Sequence, residues 1–359
     1  MMRPRSDKNG QQALKSTAPQ SRETIQLGSL EVVPRLLVGL WQLSSQAWGT
    51  TNPGRIRREM RRHVEAGYNA FADHYGTAEK IFGGFRQTLP NPESDVIGCT
   101  KWCVFAPCTV TREFVQNAVD ERNEKMQSRK VDLLQFHWND YGDRQYMDAL
   151  QYLQDIRDTG AIREVGLVNF DAIRTDEICT QFPGLIVSNQ VQFSVIDTRP
   201  LDGMYDVCDR HGIKLLTYGT LCGGFLAEKW LGEPQPDPFQ TLTPSQRKYL
   251  DVILNEWGGW VLFQRLLQTM KTIGDSHDNR SISNVATRWV LDHDFVGCVI
   301  VGSRLGVSEH VSDNDRVYGF RLTEADKAGI EVVLKDSRGP NLIRSLGDCG
   351  AEYRREQKH

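Results

Sequence analysis

The chain has 359 residues, 39% of them hydrophobic and 25% charged, which is ordinary for a folded water-soluble protein with a sizeable core. A formal net charge of −3 gives no basic surface that would advertise nucleic acid, and no apolar run approaches the roughly 20 residues needed to span a bilayer. The eight cysteines are scattered and form no zinc-type spacing, so they read as thiols in a reducing, cytoplasmic setting with no metal site.

Residues 1–22 are polar and carry Arg3, Arg5, Lys8 and Lys15. They read as a disordered tail, with a transit peptide as the alternative. From there short apolar runs alternate with amphipathic stretches. The runs are Val33–Trp41, Tyr68–Ala72, Val96–Trp102, Val131–Trp138, Ile162–Asn169, Ile186–Gln190, Ile213–Gly219 and Val296–Gly302. Runs rich in Val, Ile and Leu suit strands buried on both faces of a parallel sheet. Thr111, Asp171 and Thr323 stand where helix caps belong. Eight strands separated by helices point to a closed (β/α)8 TIM barrel over 23–336, with a C-terminal tail over 337–359. An open doubly wound sheet predicts an early Gly-x-Gly-x-x-Gly turn, and none is present. The connection from 220 to about 280 is long, and it and the tail are expected to shape access to the C-terminal face.

In such barrels chemistry sits where strands end. The strand ends deliver Trp41-Gln42, Asp73-His74-Tyr75-Gly76, Thr100-Lys101-Trp102, Phe136-His137-Trp138, Val168-Asn169-Phe170, Asn189-Gln190, Tyr218-Gly219 and Gly302-Ser303-Arg304. Their order resembles that of the aldo-keto reductases over about Val32 to Leu334. Tyr75-Gly76 followed by Ala78-Glu79 is similar to the stretch around that family's catalytic tyrosine, and Asp132 to Trp138 to its fourth-strand histidine motif.

The resemblance implies an NADP-dependent oxidoreductase acting on an aldehyde, ketone or sugar-like carbonyl, or on the alcohol, with NAD as a possible cofactor. In that reading Tyr75 is the general acid, Lys101 lowers its pKa, and His137 orients the carbonyl. Asn169 and Gln190 hold the nicotinamide carboxamide and Tyr218 stacks on the ring. Trp41, Gln42, Gly219, Thr220, Leu221 and Gly223 border the cofactor. Gly302, Ser303 and Arg304 suit a 2′-phosphate, and Asp313 and Asn314 match an acidic-Asn pair near the adenine. Trp41, Trp102 and Trp138 are expected to wall the substrate pocket. No nucleic acid or membrane partner is expected, and the oligomeric state stays open.

Two departures stand out. The family places a catalytic Asp five residues before the tyrosine. This chain is two residues short between Phe71 and Ala72, so the position falls on Ala70 or Ala72. Asp73 is the nearest carboxylate and one reading makes it the substitute; another is that two codons are missing from the sequence at this point. Val168 replaces the usual Ser. The alternative reading is therefore a weak or inactive cofactor-binding barrel with a regulatory, partner-binding role.

Overall fold

A computed structural model describes residues 22–44, 52–74, 76–239, 242–308 and 310–354. Eight parallel strands close a barrel, each hydrogen-bonded to the next in chain order and the last to the first. They are β3 (Leu36–Gly39), β4 (Ala70–His74), β5 (Ile97–Val104), β6 (Val131–Trp138), β7 (Ile162–Val168), β8 (Ile186–Gln192), β9 (Lys214–Tyr218) and β10 (Val296–Gly302). A two-stranded hairpin precedes them, β1 (Thr24–Leu27) and β2 (Leu30–Pro34). No helix of the described residues is long and apolar enough to cross a membrane.

The expected first strand is two strands. Pro34 has no N–H to continue a ladder. At Arg35 the guanidinium instead donates to the carbonyls of Leu291, Val296 and Gly297, at 3.0, 2.7 and 3.0 Å. The hairpin then lies across the N-terminal end of the barrel. The Ser29 N–H donates to Glu164 Oε1 at 2.5 Å, and a Cβ on Gly28 would fall 2.4 Å from that carboxyl group. The buried hairpin side chains Leu27, Leu30 and Val33 join the interior cluster of the barrel and close its floor.

Strand side chains alternate between two packed layers. Leu37, Ala70, Ala72, Ile97, Cys99, Leu133, Leu216, Cys298 and Ile300 fill the interior. Phe71, Phe136, Leu167, Val191 and Val299 point outward to the helices. Thr111 and Asp171 cap helices Arg112–Lys125 and Ala172–Gln181 by accepting the N–H of Phe114 and Arg174, at 3.1 and 2.8 Å. Thr323 forms a capping box with Asp326. Burial pushes the thiols of Cys179, Cys208, Cys222 and Cys298 up to about 12, which keeps them unreactive core residues.

The long connection after β9 is largely helical, with helices Pro244–Asp251, Trp260–Ser276 and Ile282–Leu291. The final described segment crosses the C-terminal face. Arg199 anchors it by donating to both Glu352 carboxylate oxygens at 3.0 Å.

Candidate active site

Lys101 and His137 lie on neighbouring strands, paired in the register Lys101↔Gln135 and Cys103↔His137. Alternation from the interior residues Cys99 and Leu133 turns both toward the barrel axis. His137 is buried, and its Nδ1 lies 3.0 Å from the Val168 carbonyl. Burial lowers the His137 pKa, and the cations of Lys101 and Arg354 lower it further. The ammonium and imidazole are therefore close enough to interact electrostatically. Tyr75, and the side chain of Asp73, lie outside the described residues.

The neutral His137 gives a pH prediction. A histidine with a depressed folded pKa contributes stability above its unfolded value, near 6.5, and loses it as pH falls toward the folded pKa. Burial depresses His293 in the same way. Urea unfolding from pH 8 to 5 is expected to show stability falling through pH 6.5, with a shallower fall for His137→Gln.

β4 carries a bulge here. Phe71 pairs with Gly98, yet His74 pairs with Thr100, so β4 holds one residue more than β5. Ala70 and Ala72 both face the interior. The two positions where the resemblance would place a carboxylate therefore present methyl groups inside the barrel.

The next strand ends build a polar slot. Asn169 adopts φ 59°, a left-handed conformation that asparagine tolerates better than most residues. Its N–H donates to the Gln190 carbonyl at 2.9 Å. Its Oδ1 accepts the Tyr218 hydroxyl at 2.9 Å. Burial, then the neighbouring Tyr353, pushes the Tyr218 pKa well up, so the phenol stays protonated. Gln190 is fully buried, and neither its Oε1 nor its Nε2 has a hydrogen-bond partner among the described residues. A buried amide without partners costs about 1–3 kcal/mol. A primary carboxamide, one donor beside one acceptor, is complementary to it, so the residues present fit a nicotinamide. Gln190→Met is expected to raise unfolding stability by about 1 kcal/mol while weakening NADPH binding roughly tenfold. Thermal melts and fluorescence titration would show the opposite signs.

Gly219 (φ 72°) could not carry a side chain, because a Cβ would fall 2.2 Å from the Tyr249 hydroxyl. Thr220 donates to the Phe193 carbonyl at 3.1 Å, Leu221 packs on the core, and Gly223 lies against Ser245 and Gln246. This turn is held close to helix Pro244–Asp251. At the end of β10, Ser303 N–H donates to the Gly39 carbonyl at 3.0 Å, and Arg304 is exposed. Gln42 lies over Gly302, where a Cβ would meet its Nε2 at 2.3 Å. Asp313 accepts Ser281 Oγ at 3.1 Å and its carbonyl accepts Asn284 Nδ2 at 2.8 Å, so it braces the start of helix Ile282–Leu291. Asn314 follows it in the short helix Val311–Asp315.

Two expected pocket walls are not at the pocket. Trp102 packs outward against Phe114 and Phe136, with ring centroids 5.8 and 5.1 Å away. Trp138 also points outward, toward Tyr146, and its Nε1 donates to the Asp140 and Asp143 carbonyls at 2.8 and 2.9 Å. Each follows an inward residue, so the strand pleat sends it to the helix layer. Trp41 is 36% exposed at the end of β3. The ring beside His137 is Phe105, 5.5 Å away and 60% exposed.

The tail lies across the C-terminal face as expected, and the structure adds the contacts that hold its strap, 348–354, in place. Gly350 (φ 76°) sits so close that a Cβ would fall 2.2 Å from the Asn169 carbonyl oxygen. Arg354 donates to that carbonyl at 3.1 Å and to the Tyr141 hydroxyl at 3.2 Å. The Tyr353 hydroxyl accepts Lys248 Nζ at 2.6 Å. Asp348 accepts the Ala172 N–H at 3.0 Å. Gly350→Ala combines a positive φ with this clash, so it is expected to cost about 1–3 kcal/mol and to speed proteolysis of the tail.

The family model described as the aldo/keto reductase family matches residues 35–335. The chloroplastic pyridoxal reductase of Arabidopsis thaliana is 24% identical over 335 residues, covering 88% of this chain and 87% of that protein. Flagellar radial spoke protein 5 of Chlamydomonas reinhardtii is 33% identical over 186 residues, but the match spans only 47% of this chain and 34% of that protein. Among solved structures, the glycerol dehydrogenase of Gluconobacter oxydans superposes with a TM-score of 0.71 at 19% identity, covering 92% of this chain and 98% of that one. A Klebsiella pneumoniae aldo/keto reductase in complex with NADP and acetate gives 0.65 at 16%, covering 87% and 95%. A matching family model across the whole barrel, together with eight closed parallel strands, places this chain in the aldo/keto reductase family.

Proposed function

We propose that the chain is an NADPH-dependent reductase of small carbonyl compounds, working in the cytoplasm. The observation that carries this reading is the buried Gln190 amide, without a partner among the described residues, at the same strand ends as Lys101 and His137. NADPH, when bound, supplies the hydride. Gln190 and Asn169 would hold its carboxamide, and Tyr218 would leave its bond to Asn169 and lie against the ring. Arg304, exposed beyond β10, would take the 2′-phosphate, with Ser303 beside it. Tyr75 would protonate the carbonyl oxygen as hydride arrives. A free phenol titrates near 10, and the Lys101 ammonium lowers that value by favouring phenolate. Asp73 is the carboxylate available in sequence to the Tyr75 loop.

The test is NADPH oxidation against a panel of aldehydes and ketones, alongside NADPH binding by fluorescence. Turnover above that of Tyr75→Phe supports the reading. A second reading, a barrel that binds NADPH without turnover, is favoured by the methyl groups of Ala70 and Ala72 inside the barrel. Tight binding with no turnover of any carbonyl would select it.

A further inference from the structure

Six of the eight cysteines are buried, and two, Cys103 and Cys108, are half-buried. The fold gives those two different surroundings. Alternation from the interior residue Cys99 turns Lys101 and then Cys103 toward the barrel axis. Both are half-buried, whereas their outward neighbours Trp102 and Val104 are buried, so the inward face of β5 opens at the barrel mouth. Cys108 lies beyond the end of β5, where its carbonyl accepts Gln145 Nε2 at 3.0 Å. Burial, then the Asp143 carboxylate, pushes the Cys108 thiol up.

Cys103 belongs to a block of four inward side chains. The register pairs Cys103 with His137 and, one rung deeper, Lys101 with Gln135. Gln135 is fully buried, and neither its Oε1 nor its Nε2 has a hydrogen-bond partner among the described residues. A leucine at that position would avoid the cost of about 1–3 kcal/mol that such an amide carries. The block thus sets a buried amide N–H, beside the Lys101 charge, beneath a sulfur nucleophile. The two rungs are about 6.6 Å apart along the strand. A conjugated carbonyl suits that span, with its oxygen accepting from the amide and its electrophilic β-carbon nearer the sulfur. We propose that Cys103 is a covalent-modification site for α,β-unsaturated aldehydes and ketones, with the Gln135 amide receiving the carbonyl oxygen.

In the step, the Cys103 sulfur bonds to the β-carbon and the alkene pair shifts to the α-carbon. The proton that leaves the sulfur ends on that α-carbon. Nothing is oxidised or reduced. The adduct fills the space in front of Lys101 and His137, so loss of carbonyl turnover follows from it on the reductase reading above. The adduct itself needs no turnover and can be measured without NADPH.

The test exposes the reduced full chain to crotonaldehyde and maps the adducts by peptide mass spectrometry. Cys103 is expected to be labelled about tenfold faster than Cys108, the other half-buried thiol. Cys103→Ser is expected to remove that label. Gln135→Leu removes the amide and is expected to slow crotonaldehyde labelling of Cys103 about tenfold, the scale of one well-placed hydrogen bond. Dimethyl disulfide, which has no carbonyl, is expected to label Cys103 equally fast in both proteins. Labelling of Cys108 first, no adduct at Cys103, or a Gln135→Leu protein that reacts with crotonaldehyde as fast as wild type overturns the proposal. So does Gln135→Leu slowing both reagents alike. None of these outcomes bears on the reductase reading, which stands or falls on NADPH turnover.

Discussion

Arg199→Met is expected to lower the unfolding free energy by about 3–5 kcal/mol, the cost of leaving a buried charge without its partner. Arg199 is 3% exposed and its neighbour Asp197 is fully buried. The guanidinium donates to Asp197 Oδ1 and Oδ2 at 2.9 and 2.8 Å, to both Glu352 oxygens, and to the carbonyls of Gly347 and Asp348 at 3.2 and 3.3 Å. Removing it strands the Asp197 carboxylate, which keeps Gln192 Nε2 as a donor at 2.6 Å. It also frees the strap from its main anchor. Urea denaturation would measure the loss. Adding Asp197→Leu should recover part of it, because the stranded charge then disappears. An Arg199→Met protein as stable as wild type would show that strap and barrel are not coupled through this pair.

Lys101→Met is expected to reduce NADPH-dependent turnover at least about a hundredfold, within the range a positioned acid and its tuning normally supply. The same change should raise the His137 pKa, because the Lys101 cation is one of the influences that lower it. The two readouts separate a role in chemistry from a loss of structure. A variant that loses activity but leaves the His137 titration unmoved would place Lys101 away from the imidazole. One that moves the titration and keeps full turnover would remove Lys101 from the reaction.

Much of this molecule was readable from residue order, and the limits have a physical cause. Buried parallel strands are continuous apolar runs, so β6, predicted at Val131–Trp138, starts and ends where expected. Lys101 and His137 could be placed at strand ends for the same reason. The error at Trp102 and Trp138 came from treating a strand end as a point rather than a pleat. A two-residue period turns the neighbour of an inward side chain outward, so Lys101 and Trp102 cannot share a pocket. The tail's course over the C-terminal face was expected, but its anchoring contacts were out of reach for a different reason. Its segments are short and irregular, and its contacts join residues as far apart as Tyr141 and Arg354, 213 positions away. Periodicity carries no information about such pairs. The β4 bulge is similar: only the partner strand reveals the extra residue.

The hairpin across the floor and the strap across the mouth set the two ends of the described chain at opposite poles of the barrel. Coupling the protein to a bead or a fluorophore ahead of Arg22 therefore leaves the rim clear for small molecules. The same attachment made just beyond Arg354 would hang its bulk over Asn169 and Tyr141, and an assay built that way would report on the tether rather than on the protein.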